Sequence, residues 1–321
     1  MYKFIPILKS MLWGGDRIAP YKGIATTQQR IGESWELSGV AGNVSVVAEG
    51  PDAGMTLEEL LAREKERLLG RKNFERFGCT FPLLVKFIDA RRDLSIQVHP
   101  DDELARKRHN TNGKSEMWYV IAAAEGARLY SGFRRATTPE AYEASVAADT
   151  LTELLADHPI APGDVFYLPA GRIHSLGAGA LVAEIQQTSD LTYRIYDYNR
   201  RDADGNLREL HTELAREAID YSAEADYRTR YERRKECETE LVACPHFRTS
   251  LLDLTRRHTL DLSATDSFLV AICVEGRGTL VDDQGRRMPL HQGETVLVPA
   301  SARTIEIVPE NAIKLLTSRI D

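Results

Sequence analysis

The feature that most limits what this chain can become is the length of its apolar runs. They are short, between four and seven residues, and Gly, Pro and Asp separate them: FPLLVKF (81–87), LSIQV (94–98), EMWYVIA (116–122), VFYL (165–168), LVAEIQQ (181–187), FLVAICV (268–274) and TVLV (295–298). Runs of this length, closed by turn residues, predict strands. Many short strands predict a sandwich or a barrel. The parallel strand–helix–strand alternation that a Rossmann sheet or a TIM barrel needs is missing. Helical signals are few. Thr56, followed three residues later by Glu59, has the pattern of a reciprocal N-terminal cap and predicts a helix to about residue 77. Two more are expected over 138–158 and 209–221.

At roughly 150 residues per domain, 321 residues suggest two domains. The charged stretch YRTRYERRKECETE (227–240) marks a seam, as a linker or as the last solvated helix of what precedes it. We therefore expect a mostly β domain with helical additions over 1–237 and an all-β module over 238–321. GDVFYLPAGRIH (163–174) has a distant echo in GETVLVPASART (293–304), where Thr304 stands in the place of His174.

Forty-eight acidic residues against 41 Lys and Arg leave a net charge of −7, which argues against a nucleic-acid or anionic-membrane partner. A few local Arg and Lys can still hold a small anion. The four cysteines form no C-x-x-C pair, so a reducing, cytoplasmic setting is expected. The apolar run at 4–8 is too short for a signal-peptide core, and no run approaches a membrane span.

Side chains two apart in a strand share a face. Ser95, Gln97 and His99 therefore point one way, and Lys114, Glu116 and Trp118 again share a side. The turn at 169–171 then delivers His174. A single strand histidine is usually a surface or satisfied core residue, and the chain has eight. Two His and one Glu arriving from three separate strands suit a metal with an open coordination position. Gln97 can add a weaker amide oxygen. In GESWELS (32–38), strict alternation would put Glu33, Trp35 and Leu37 on one face. Trp13 and Trp35 read as packing residues.

The spacing G-x5-P-x-G-x2-H at 163–174 is the second motif of the cupin β-barrels. The first cupin motif is distorted, with Gln97 in the first His position and 16 residues between His99 and Glu116. With WGGDRI (13–18), GESWELS (32–38), LSIQVHPDD (94–102), GKSEMWYV (113–120), LPAGRIHSLGAG (168–179) and AEIQQTSDLTYRIYDYNR (183–200), the chain resembles the zinc-dependent mannose-6-phosphate isomerases, in the short bacterial form of the type I class.

The resemblance implies a cupin (double-stranded β-helix) fold and one Zn²⁺ held by Gln97, His99, Glu116 and His174. It implies Lys114 and Arg194 as catalytic, substrate-contacting residues and Glu184 as an acid/base group. Arg200 stands where longer relatives carry Lys; its planar fork suits a phosphate contact. The implied reaction interconverts mannose 6-phosphate and fructose 6-phosphate through an enediol(ate). The implied partner is a small sugar phosphate, in a monomer or homodimer. The 238–321 module keeps Gly276, Gly278, Gly293 and Pro299 and reads as a degenerate, metal-free cupin packed on the first. Two His and a carboxylate also suit a non-haem iron oxygenase. A non-catalytic sugar-sensing cupin is the third reading; no DNA-binding segment accompanies it.

Overall fold

The computed structural model describes residues 1–201 and 204–321. Among these residues the strands pair antiparallel and form three sheets. A six-stranded sheet runs in the order Ile7–Gly15, Ile31–Leu37, Leu83–Asp89, Ala180–Gln187, Glu116–Ala123, Val165–Leu168. A five-stranded sheet runs Tyr193–Tyr196, Ile96–Val98, His174–Leu176, Arg128–Phe133, Leu155–Pro159. The two face each other around Trp118, Val120, Phe166, Leu176 and Val182, giving the expected mostly β barrel with helices as additions.

The outer face of the six-stranded sheet is also covered. Val85, Phe87, Met117 and Ile185 pack with Leu251, Val270, Ile272 and Leu316 in one core. Buried on both faces, Leu83–Asp89 has no exposed residue, which is why its sequence reads as an apolar run rather than an alternation. Each such Leu, Ile or Phe contributes about 1.5–3 kcal/mol of burial.

The third sheet has eight strands. Seven lie between Glu238 and Arg319, and the eighth is Tyr2–Lys3, paired with Thr295–Val298. The sequence echo is structural. Val165–Leu168 and Thr295–Val298 each follow a glycine at φ near +80° (Gly163 +85°, Gly293 +81°) and each lead through a turn into the next strand. That next strand opens at His174 in one copy and at Thr304 in the other.

Local signals were overruled where tertiary contacts competed. The Thr56 cap forms: Thr56 N–H donates to Glu59 Oε2 (2.9 Å) and Glu59 N–H to Thr56 Oγ1 (3.2 Å). The helix nevertheless divides into Leu57–Glu64, Glu66–Leu69 and Arg71–Phe77. The second break is Gly70, at φ +89°, whose Cα lies against the Asp266 carbonyl. The Asp266 carboxylate caps the following helix from a distance, accepting from Arg71 N–H (2.8 Å) and Lys72 N–H (3.2 Å).

The helix expected over 138–158 covers only Pro139–Ala147 and Leu151–Leu154. Asp149 takes φ +59°, and Leu155–Pro159 leaves as a strand that pairs with Arg128–Phe133. The third helix is Thr212–Ala218. Residues 227–237 are neither helix nor strand. They lie along Val165–Leu168 as a strap, with Thr229 N–H donating to the Val165 carbonyl (2.8 Å) and Tyr231 Oη to the Gly163 carbonyl (2.6 Å). In 32–38 the alternation fails at a bulge between Trp35 and Leu37. Trp35 stays opposite Lys86, while Leu37 turns to Val85 and the large core. No described helix is long and apolar enough to cross a membrane.

Candidate metal centre

The centre forms where the two barrel sheets meet. Glu116 opens a strand of the six-stranded sheet; His174 opens a strand of the five-stranded sheet, and His99 follows Ile96–Val98 in the same sheet. One ligand atom from each of the three lies within 4.8 Å of the others, and all three residues are buried. His99 Nδ1 donates to the Leu191 carbonyl (2.9 Å) and His174 Nδ1 to the Arg172 carbonyl (2.8 Å). A carbonyl only accepts, so these bonds place a proton on each Nδ1 and turn each Nε2 toward the centre. The two Nε2 atoms converge on Glu116, that of His174 at 3.1 Å from Oε1 and that of His99 at 3.5 Å from Oε2. Backbone carbonyls behind two imidazoles are the usual orienting partners of metal-ligating histidines.

Lys114 completes the group, with Nζ 2.7 Å from Glu116 Oε2 and 3.1 Å from His99 Nε2. Apart from that ion pair and the two His contacts, neither buried oxygen of Glu116 has a hydrogen-bond partner. Burial opposes the Glu116 charge, but Lys114 and the two imidazoles outweigh it and hold the carboxyl well below its usual range. Burial, reinforced by Lys114, pushes His99 well below the usual imidazole value, so it is neutral. Two imidazoles oriented through Nδ1 and an ionised, under-bonded carboxylate fit a divalent cation.

Gln97 lies in the same row. Its backbone pairs with His174 on one side and Arg194 on the other, and its amide nitrogen, Nε2, is 3.2 Å from His174 Nε2. Arg194 is half-buried. Its Nη1 donates to the Glu209 carbonyl (3.1 Å), and its buried Nε has no partner. Burial, then the nearby Arg208, lowers its pKa, so this cation gains from an anion. Arg200 is held by Asp197 and by the Asp93 carbonyl, and Arg208 Nε donates to Asp197 Oδ2 at 2.7 Å.

Glu184 is buried and engaged. Oε2 accepts from the Trp118 indole (2.7 Å), and Oε1 lies 3.1 Å from Lys86 Nζ. Burial would lower Lys86, but the carboxylates of Glu184, Glu33 and Glu116 raise it instead. Trp118 links this pair to the centre, its ring 5.4 Å from that of His174 in an edge-on contact. Sequence reasoning missed Lys86, the Trp118 indole and Arg208. A lysine inside the apolar run FPLLVKF was the one available signal; nothing local marks Arg208.

Two sheets that bring two imidazoles and a carboxylate together define a cupin-type barrel with a candidate metal centre. The model of the type I phosphomannose isomerase catalytic domain matches residues 1–125, and the mannose-6-phosphate isomerase cupin-domain model matches residues 237–316. The chain is 36% identical over 299 residues, 92% of each chain, to the mannose-6-phosphate isomerase ManA of Bacillus subtilis. It is 33% identical over 294 residues to the mannose-6-phosphate isomerase of Streptococcus mutans, covering 91% of this chain and 90% of that one. A crystal structure of mannose 6-phosphate isomerase from Bacillus subtilis superposes with a TM-score of 0.88 at 32% identity, over 99% of both chains. The chain belongs to the type I phosphomannose isomerase family.

Proposed function

We propose that this chain is a metal-dependent aldose–ketose isomerase that interconverts mannose 6-phosphate and fructose 6-phosphate, with zinc as its ion. The observation that carries this reading is the convergence of both imidazole Nε2 atoms on Glu116, in a chain that belongs to the isomerase family. His99, Glu116 and His174 would hold the ion, with the Gln97 amide as a weaker fourth donor. When bound, the ion supplies Lewis-acid stabilisation for negative charge developing on the sugar oxygens. The mixed nitrogen and oxygen donor set suits zinc with a position left open.

The reaction moves a proton between C1 and C2 of the open-chain sugar. Glu184 is the proposed acid/base group, positioned by the Trp118 indole and by the Lys86 ammonium 3.1 Å from its Oε1. A positioned base of this kind is worth roughly 10²–10⁴-fold. Lys114 keeps Glu116 ionised and presents positive charge toward the oxygens that become anionic. Arg194, with its unpartnered Nε, is the proposed phosphate grip, and Arg200, braced by Asp197, adds charge at the same rim.

The same reading divides the chain near residue 237 into a catalytic part and a supporting β module that carries no metal. The grouping of seven strands from Glu238 onward into one sheet supports it, as does Thr304 in the place of His174. A cytoplasmic setting is supported by four free cysteines.

The test is conversion of mannose 6-phosphate by metal-stripped protein, before and after adding zinc, beside a His174→Ala variant. Zinc-restored turnover that the variant lacks is the expected result. Zinc binding without turnover sinks the isomerase reading, and oxygen consumption with Fe(II) would put an oxygenase in its place.

A further inference from the structure

We propose that Asp102 and Gln187 are positioning residues: together they clamp the backbone on either side of Lys114 and aim its ammonium at Glu116 and His99. What the clamp does for turnover rests on the isomerase reading above. Residues 113–115 precede the strand Glu116–Ala123, belong to neither helix nor strand, and are buried. Buried N–H groups outside regular structure need other acceptors. Gly113 N–H donates to Asp102 Oδ1 (2.8 Å) and Ser115 N–H to Gln187 Oε1 (2.8 Å). The Gln187 amide closes the ring, donating from Nε2 to the same Asp102 oxygen (3.0 Å). Between them, Lys114 N–H donates to the Pro100 carbonyl (3.1 Å). Three successive amides are held, and Lys114 is the middle one.

The second observation is the division of labour in HPDD (99–102). Asp101 caps the helix Asp102–His109, its Oδ1 accepting from Leu104 N–H (2.8 Å). Asp102 instead gives its carboxylate to the loop. The loop lies so close to this helix start that a Cβ on Gly113 would be 2.5 Å from the Asp102 nitrogen. Gln187 ends Ala180–Gln187, the strand that carries Glu184, and its own N–H donates to the Ser115 carbonyl (3.2 Å). Ser115 Oγ accepts from Ala170 N–H (3.1 Å), in the turn that delivers His174. The clamp thus joins the segments that carry His99, Glu116 and His174.

Lysine is a point charge on a flexible stem, so its aim depends on where its backbone is held. A misplacement of about 1 Å at a reacting centre costs up to about 10²-fold in rate. The second module also reaches the clamp. His246 shares a cavity of about 310 Å³ with Asp102 and Gln187, and its Nδ1 is 4.0 Å from the Asp102 oxygen that the loop does not use.

The experiment pairs amide hydrogen exchange over residues 112–116 with steady-state kinetics on mannose 6-phosphate, both on the zinc-loaded chain. Asp102→Ala should speed exchange of the Gly113 amide, and Gln187→Ala that of Ser115, by roughly tenfold or more. Each should lower kcat by roughly ten- to a hundredfold. Asp102→Asn keeps an acceptor oxygen and should stay within roughly threefold of the native kcat. In a Lys114→Met background the two alanine changes should alter the residual kcat by less than about twofold, because no ammonium is left to misplace. Unchanged exchange in both alanine variants, Asp102→Asn as impaired as Asp102→Ala, or full additivity with Lys114→Met would each overturn the proposal. A native chain without turnover would sink the isomerase reading alone, and the exchange would still decide the clamp.

Discussion

Lys114 Nζ sits 2.7 Å from Glu116 Oε2, and both side chains are almost wholly buried. On the proposed reading, this ammonium and a bound cation would serve the same carboxylate, so the need for one depends on the presence of the other. Removing one partner of a buried pair leaves an uncompensated charge, at a cost of about 3–5 kcal/mol. Lys114→Met should lose that much stability in metal-free protein and much less with zinc bound. Urea denaturation with and without zinc measures both. An equal loss in the two states would mean that the ion does not sit on Glu116.

Glu184 is joined to Trp118 and Lys86, while the ligand atoms lie elsewhere. Glu184→Gln should therefore lower kcat by roughly 10²–10⁴-fold with zinc content unchanged. Steady-state kinetics and metal analysis on the same preparation check this. Near-native kcat would leave Glu184 as a packing partner of Lys86 and move the proton-transfer role to another group.

Asp197 braces Arg200 and Arg208 at the rim. Burial opposes its charge, but hydrogen bonds from Arg208 and Arg200 prevail and hold its pKa below the usual value. A carboxylate depressed in the folded state contributes stability above its unfolded pKa of about 3.9. That contribution is lost as pH falls through the lower folded value. The Tm difference between the native chain and Asp197→Asn should be constant from neutral pH to about pH 5 and close below about pH 4. A difference that persists in strong acid would show that the charge is not what stabilises the brace.

Gly70 is a point where the helical segment meets the last module. A Cβ there would lie 2.2 Å from the Asp266 carbonyl oxygen, in a backbone with φ +89° that disfavours other residues. Gly70→Ala should destabilise by more than about 1 kcal/mol, although alanine at an unstrained glycine position usually stabilises. Thermal unfolding reads this directly. An unchanged or raised Tm would mean that the contact yields freely.

The clustering of His99, Glu116 and His174 was legible because the signals are local. Period two puts Gln97 with His99 and Lys114 with Glu116, and the turn at 169–171 fixes where His174 emerges. The strands at 165–168 and 295–298 were legible for the same reason: each is a short apolar run enclosed by turn residues. Helix extents were less so. Thr56 signalled a start correctly, but the break at Gly70 depends on Asp266, nearly two hundred residues away. Likewise, Leu155–Pro159 left its expected helix for a partner strand.

By itself the sequence determined the strand-rich class, the residue types and spacing of the His99, Glu116 and His174 cluster, and the echo between the two halves, because alternation, turns and caps are properties of neighbouring residues. Only the tertiary structure decided that Lys86 meets Glu184, that Arg208 joins Asp197, and that Tyr2–Lys3 pairs with Thr295–Val298. These contacts depend on strand register, and register is set by bulges and by which faces are buried on both sides. A one-residue slip would turn every side chain of a strand to its other face.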